Sequence, residues 1–150
     1  MELRHQLIFT ALQDFGLSEI EGPDSNEFIL KLIKKHLPHV KDDSRAAWCG
    51  IIMAYWLNKL GIEIPKKPTV ARNFYNQLER YESIKDYKDL KFGDIVVFWR
   101  ESLSSWKGHV GLVIATDENR ILVLGGNQNN RVSIKWYSAA RFIGGKRISQ

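Results

Sequence analysis

Gly108-His-Val-Gly-Leu-Val-Ile-Ala-Thr-Asp-Glu-Asn-Arg-Ile-Leu-Val-Leu-Gly-Gly-Asn-Gln128 reads as two apolar runs around a short polar centre. His109 to Ala115 and Ile121 to Gly126 have the length and β-branched content of strands. Asp117-Glu118-Asn119 between them is the length of a three-residue hairpin loop, with Asn119 able to take a left-handed conformation. A hairpin centred on Glu118 sets Thr116 opposite Arg120, Val113 opposite Val123, Gly111 opposite Gly125 and His109 opposite Asn127. Residues directly opposite share a face, so His109 and Asn127 are expected as neighbours. A one-residue slip would move Asn127 to the other face and leave Gln128 as the next polar candidate.

Working outward, Asp94 to Arg100 follows a turn at Phe92-Gly93 and reads as another strand. Val132 to Tyr137 and Phe142 to Ile148 complete the strand-rich half. The other half is helical. Leu3, Leu7, Ile8, Ala11, Leu12 and Phe15 recur at helical spacing before Gly16. Glu21-Gly-Pro-Asp24 reads as a turn, and Ser25 as the cap of a helix carrying Phe28, Ile29, Leu32, Ile33 and His36. Ala46 to Leu60 is apolar nearly all round and is expected to be the central, buried helix. Val70 to Arg80 reads as a fourth helix, with Phe74 and Leu78 inward. Helices first and a strand meander afterwards imply an α+β fold, its helices packed on one face of an antiparallel sheet.

The 150 residues, 44% hydrophobic and 26% charged, suit one packed domain spanning 1–150. Lys plus Arg number 22 against 17 Asp plus Glu, a net charge of +5 that favours acidic partners without choosing among them. The lone cysteine, Cys49, excludes a disulfide framework and any multi-thiolate zinc site. No apolar run is long enough to span a bilayer. Charge interrupts the N-terminal segment too early for a secretory signal, so synthesis in the cytoplasm is expected. No nucleic-acid-binding motif is visible.

Cys49 falls near the start of the central helix, where the partial positive charge of the helix end favours a thiolate. By itself, without a partner, such a cysteine reads as a small, inert core residue. Of His5, His36, His39 and His109, the last differs in opening a strand between Gly108 and Gly111. If the helix bearing Cys49 packs on the face carrying His109 and Asn127, the three form a nucleophile, a base and a polar orienter. Attack on an amide carbonyl would follow, with the Cys49 backbone N–H contributing to an oxyanion hole. Asp94 reads as a turn residue. Asp42 and Asp43 read as solvated loop carboxylates, since a calcium loop needs more oxygen ligands at regular spacing.

Trp48-Cys49-Gly at a helix start, Phe92-Gly-Asp-Ile-Val-Val-Phe98, Gly108-His-Val-Gly111 and the strand ending Leu124-Gly-Gly-Asn-Gln128 resemble, in this order, the CHAP and NlpC-type cell-wall cysteine hydrolases. Glu21-Gly-Pro-Asp-Ser-Asn26 and Asp42-Asp43 point within that superfamily to a small CHAP-like group of phage and bacterial origin. The likeness runs from about Glu19 to Arg147. It implies a papain-like fold with the nucleophile helix on an antiparallel sheet. It also implies Cys49 as nucleophile, His109 as base and Asn127 as third residue. Many CHAP enzymes carry a Glu near that third position, whereas here Gly126 and Gln128 flank Asn127, so Gln128 stays an alternative orienter.

The resemblance implies a peptidoglycan hydrolase that cuts an amide bond, as an endopeptidase or as an amidase, through an acyl-enzyme. Trp48, Trp106 and Gln128 are the candidate substrate contacts. Trp99 and Trp106 flank a loop from Arg100 to Lys107 that could border the cleft. No metal or cofactor is called for, a monomer is expected, and an inhibitor or immunity protein is a partner the family allows. Action at the wall or in the periplasm would follow lysis or a non-Sec export route. The rival readings are a cysteine hydrolase or deamidase toxin with another amide substrate, and a wall-binding module without catalysis. Arg131, Lys135, Arg141, Lys146 and Arg147 gather positive charge that could meet wall anions or simply aid solubility.

Overall fold

The computed structural model of the chain describes residues 1–20, 26–39 and 47–149. The expected turn at 21–24, the capping role of Ser25, the Asp42-Asp43 pair and the helix start at Ala46 lie outside these residues. Among the described residues four α-helices, α1 (Leu3–Leu12), α2 (Glu27–His36), α3 (Cys49–Lys59) and the single turn α4 (Asn73–Asn76), come first. Six strands follow: β1 (Glu82–Ile84), β2 (Ile95–Trp99), β3 (Gly108–Thr116), β4 (Arg120–Gly125), β5 (Ser133–Ser138) and β6 (Phe142–Arg147). They form one antiparallel sheet in the order β1-β6-β2-β3-β4-β5, the α+β architecture the sequence predicts.

The helices cover one face of this sheet. Leu7, Ile8 and Ala11 of α1, Ile29 and Ile33 of α2 and most of α3 join Ile95, Val97, Val110, Leu112 and Leu124 in one core. The alternate residues Val96, Phe98, Val113, Ile121 and Val123 build a second core on the other face. Both faces of β2 are therefore buried, which explains its unbroken apolar run. α3 lies at the centre of the first core, with Ile52, Met53, Trp56 and Leu57 shut off from solvent. The Trp56 indole N–H donates to Asp14 Oδ2 at 2.8 Å and ties α3 to the segment after α1. Its C-terminus closes with Gly61 N–H to Asn58 O at 3.1 Å and Ile62 N–H to Leu57 O at 3.0 Å, a paired arrangement that satisfies the last carbonyls.

Several elements depart from expectation. Asn26 caps α2, its side-chain oxygen accepting from the Phe28 and Ile29 N–H groups. Phe15 stays 55% exposed rather than joining the core. The helix expected over Val70–Arg80 shrinks to α4. The Asn73 amide donates to the Lys66 and Lys67 carbonyls, the Gln77 side chain binds both polar groups of Lys66, and Leu78 turns left-handed at φ 52°. Side-chain bonds to the preceding loop thus displace the helix ladder, while Phe74 and Leu78 are buried as expected. β1 was not anticipated; three residues at a sheet edge with one buried side chain carry too little pattern.

The hairpin has a longer turn than three residues. Thr116 pairs with Ile121, not Arg120, and Asp117 organises the loop by accepting from the Asn119 and Arg120 N–H groups. Asn119 is not among the left-handed residues. A bulge between Val113 and Ala115 absorbs the offset, so Val113 does face Val123.

Candidate active site

Cys49 is the first residue of α3, and its side chain is 3% exposed. The first-turn N–H groups of a helix have no intrahelical acceptor, and they surround the thiol with partial positive charge. Two close approaches place this helix end. A Cβ on Gly50 would overlap the Pro68 carbonyl. A Cβ on Gly126 would stand 2.5 Å from Ile52 Cγ2 and 2.8 Å from the Trp48 ring. Glycine at both positions lets α3 settle between the Pro68 segment and the end of β4.

His109, 6% exposed, is the second residue of β3. Its ring is stacked with Tyr137, centroids 4.9 Å apart at 21°, and Tyr137 is stacked in turn with Phe98 at 5.0 Å. These neighbours belong to the face away from the helices; Val110, Leu112 and Leu124 are the residues that meet α3. The expectation that α3 packs on the face of His109 and Gly111 is therefore corrected. Cys49, at the start of α3, nevertheless stands near enough to the first residues of β3 for His109 and the Val110 backbone to act on its thiol.

Burial is the largest influence on the Cys49 thiol and pushes its pKa up. The charge and hydrogen bond of His109, the Val110 backbone and the Arg100 charge together outweigh it and bring the thiol below its ordinary value. Tyr137 moves the other way: burial raises its pKa, and a charge on Cys49 adds to the rise while Arg100 opposes it. Tyr137 therefore stays a neutral phenol against the imidazole.

The third group is Gln128. His109 Nε2 lies 2.9 Å from Gln128 Oε1. The Gln128 amide nitrogen donates to the Val123 carbonyl at 3.0 Å and the Ser133 carbonyl at 2.8 Å, so both its hydrogens are committed. That fixes the amide with its oxygen toward the ring and requires a proton on His109 Nε2. Nδ1 is left as the basic nitrogen for the thiol. Asn127 is not opposite His109 in a continuing strand. β4 ends at Gly125, Asn127 turns left-handed at φ 57°, and Gln128 N–H closes a turn onto Arg131 O at 2.9 Å. The hydrogen bond to the ring thus comes from the alternative orienter, while Asn127 lines a separate pocket beside the ring.

Among the expected substrate contacts, Trp106 fits. It is 64% exposed and lines a cavity of about 550 Å³ with Cys49, Thr69, Val70 and Arg100. Trp48 is buried, its indole N–H bonded to Glu19 Oε1 at 2.8 Å, so its ring supports the helix end and is closed to a ligand. Gln128 is buried as well, its side chain spent on His109 and two carbonyls.

The loop bearing Trp106 is held by Arg72, which the sequence did not single out. Its guanidinium donates to the Lys107, Leu103 and Ser102 carbonyls at 2.8, 2.6 and 2.8 Å. A depression of about 630 Å³ between Glu82 and Arg147 is lined by neither cysteine nor histidine. Asp94 is wholly buried beneath Arg147, accepting at 3.0 and 2.8 Å, and is structural, as expected of a turn residue. No group of three or more metal-ligating side chains occurs among the described residues.

No family model matches the sequence, and no curated protein sequence matches it. Among solved structures the chain is similar to a lipoprotein-like protein of the NLP/P60 family from Staphylococcus aureus subsp. aureus Mu50. Identity is 17% and the TM-score 0.51, over 98% of this chain and 41% of that one. It is also similar to Ly7917, at 15% identity and TM-score 0.45, over 95% of this chain and 61% of that one. Ly7917 solved with the hydrolyzing product of MDP gives 15% and 0.46, over 97% and 63%. The chain thus spans less than two thirds of each of these proteins. At such identities the likeness is one of fold: the chain shares its α+β fold with the NLP/P60-family protein.

Proposed function

We propose that the chain is a cysteine hydrolase of amide bonds in peptidoglycan. The observation that carries this reading is the buried Cys49 thiol at the start of α3, its pKa lowered by an imidazole whose far nitrogen is fixed by Gln128. His109 Nδ1 takes the thiol proton, and the sulfur attacks the carbonyl carbon. The resulting oxyanion meets the N–H groups at the start of α3. Collapse breaks the C–N bond while the imidazolium gives its proton to the leaving nitrogen. Water, deprotonated by His109, then cleaves the thioester and restores the thiol. Gln128 holds the tautomer throughout, and stacking on Tyr137 holds the ring plane.

The wall polymer as substrate is supported by the NlpC/P60-type fold and by the motif order Cys49, His109, Gln128, which resembles the wall hydrolases. The cleft beside Cys49 is open and flanked by the exposed Trp106, which suits a sugar or peptide face. Digestion of purified peptidoglycan by wild type and by Cys49→Ala, with fragments identified by mass, tests it. Cleavage by wild type alone is expected, and the masses separate an amidase from an endopeptidase. No cleavage of walls of several chemotypes, with Cys49 still reactive, would point instead to another amide substrate.

A further inference from the structure

The catalytic pair divides the cleft unequally. The cavity that contains Cys49 is not lined by His109, and a second pocket of about 280 Å³ is lined by His109 and not by Cys49. Arg100 is common to both. In amide cleavage the acyl group stays on sulfur, and the departing nitrogen must lie toward the imidazolium that protonates it. The pocket on the His109 side is therefore where the amine product sits.

That pocket is basic. Arg100, Lys135 and Arg141 line it with Asn127 and Asn130, and no carboxylate does. Other cations do hold acids: Lys107 holds Glu101, Arg120 holds Asp117 and Arg147 holds Asp94. None of the three pocket cations lies within ion-pair distance of an acid among the described residues. Two instead rest on aromatic rings, Arg141 at 5.0 Å from the Trp99 centroid and Lys135 at 5.5 Å from that of Tyr137. Those contacts orient the charges without neutralising them. A guanidinium presents paired donors that match a carboxylate. Of the C-terminal cations, Lys146 and Arg147 are bound into the fold and Arg131 does not line the pocket, so Lys135 and Arg141 join Arg100 here.

We propose that this pocket is a carboxylate-binding subsite, so that the fragment released as the amine carries a free carboxylate close to the scissile nitrogen. The proposal rests on the amide-hydrolase reading for the direction of cleavage. Balance is kept: the C–N bond breaks, the His109 proton goes to nitrogen, and the carboxylate leaves unchanged with the amine.

Two alkylating probes test it without any wall substrate. N-bromoacetylglycine and N-bromoacetylglycinamide present Cys49 with the same electrophile, bromide leaving as the S–C bond forms, and differ only in a terminal carboxylate against a neutral amide. At low salt the wild type is expected to react about fivefold faster with the carboxylate probe, and added salt should shrink that ratio. Arg141→Gln and Lys135→Gln should each lower the ratio, and the double variant should bring it close to one; the neutral probe reports thiol reactivity in every variant. A wild-type ratio of one overturns the proposal whatever the variants do, and so does a ratio that persists in the double variant. A normal ratio in a protein that leaves peptidoglycan intact would instead count against the wall substrate alone.

Discussion

Gln128 and Asn127 are adjacent in sequence and differ by one methylene, yet their surroundings divide them. Gln128 is 1% exposed and its side chain makes three hydrogen bonds inside the protein, whereas Asn127 is half-buried in the wall of the basic pocket. Gln128→Ala frees the ring tautomer and strands two carbonyls. A kcat loss of about 10- to 100-fold is expected, with stability lower by about 2 kcal/mol. Asn127→Ala should leave kcat within about threefold and act mainly through KM. Kinetics on a single wall preparation and thermal melts of both variants compare them, and equal kcat losses would count against the assignment of Gln128. The sequence made the Cys49–His109 pair legible because a helix start and a strand start are strong local signals. It could not settle the orienter, because extending the alternation of β4 to Asn127 assumes a strand that stops at Gly125.

Elements carry the site through two devices. The first is close packing of α3 against the chain after β4. Gly126→Ala drives a methyl into Ile52 and Trp48 and is expected to destabilise by about 1–3 kcal/mol. Because Trp48 precedes Cys49, kcat should fall beyond what the folded fraction explains, which activity measured well below the melting transition would show. The second is the Arg72 clamp. Arg72→Gln withdraws the guanidinium from three loop carbonyls, so the loop carrying Trp106 loosens. KM should rise several-fold with a smaller change in kcat, since Cys49, His109 and Gln128 stand on other elements; an unchanged KM would mean the loop does not contact substrate. Arg72 was hidden in the sequence because its partners, 30–35 residues away, are backbone carbonyls and carry no side-chain signature.

For the molecule as a whole, layering was the legible part. The apolar spacing of α1 to α3 and five of the six strands follow from periodicity, and their sum is the α+β fold. What was not legible came from interactions across the chain: the helix expected over Val70–Arg80 yields to hydrogen bonds from the Asn73 and Gln77 side chains to the Lys66 and Lys67 carbonyls, and β1 is a partner for β6. The buried Asp94 joins the start of β2 to Arg147 at the end of β6. Asp94→Ala should cost about 3 kcal/mol and lower the melting temperature without altering the reactivity of Cys49 in the folded protein.

The architecture sets one buried thiol under the influence of one imidazole. The lowered thiol pKa means that a larger thiolate fraction exists at neutral pH than an ordinary cysteine would show; removing the imidazole leaves burial to push the value up. The rate of Cys49 alkylation by iodoacetamide as a function of pH, in wild type and His109→Ala, measures this directly. A wild-type midpoint below the ordinary thiol range is expected, with an upward shift and slower reaction at neutral pH in the variant. Coincident profiles, or a wild-type thiol inert across the range, would contradict it.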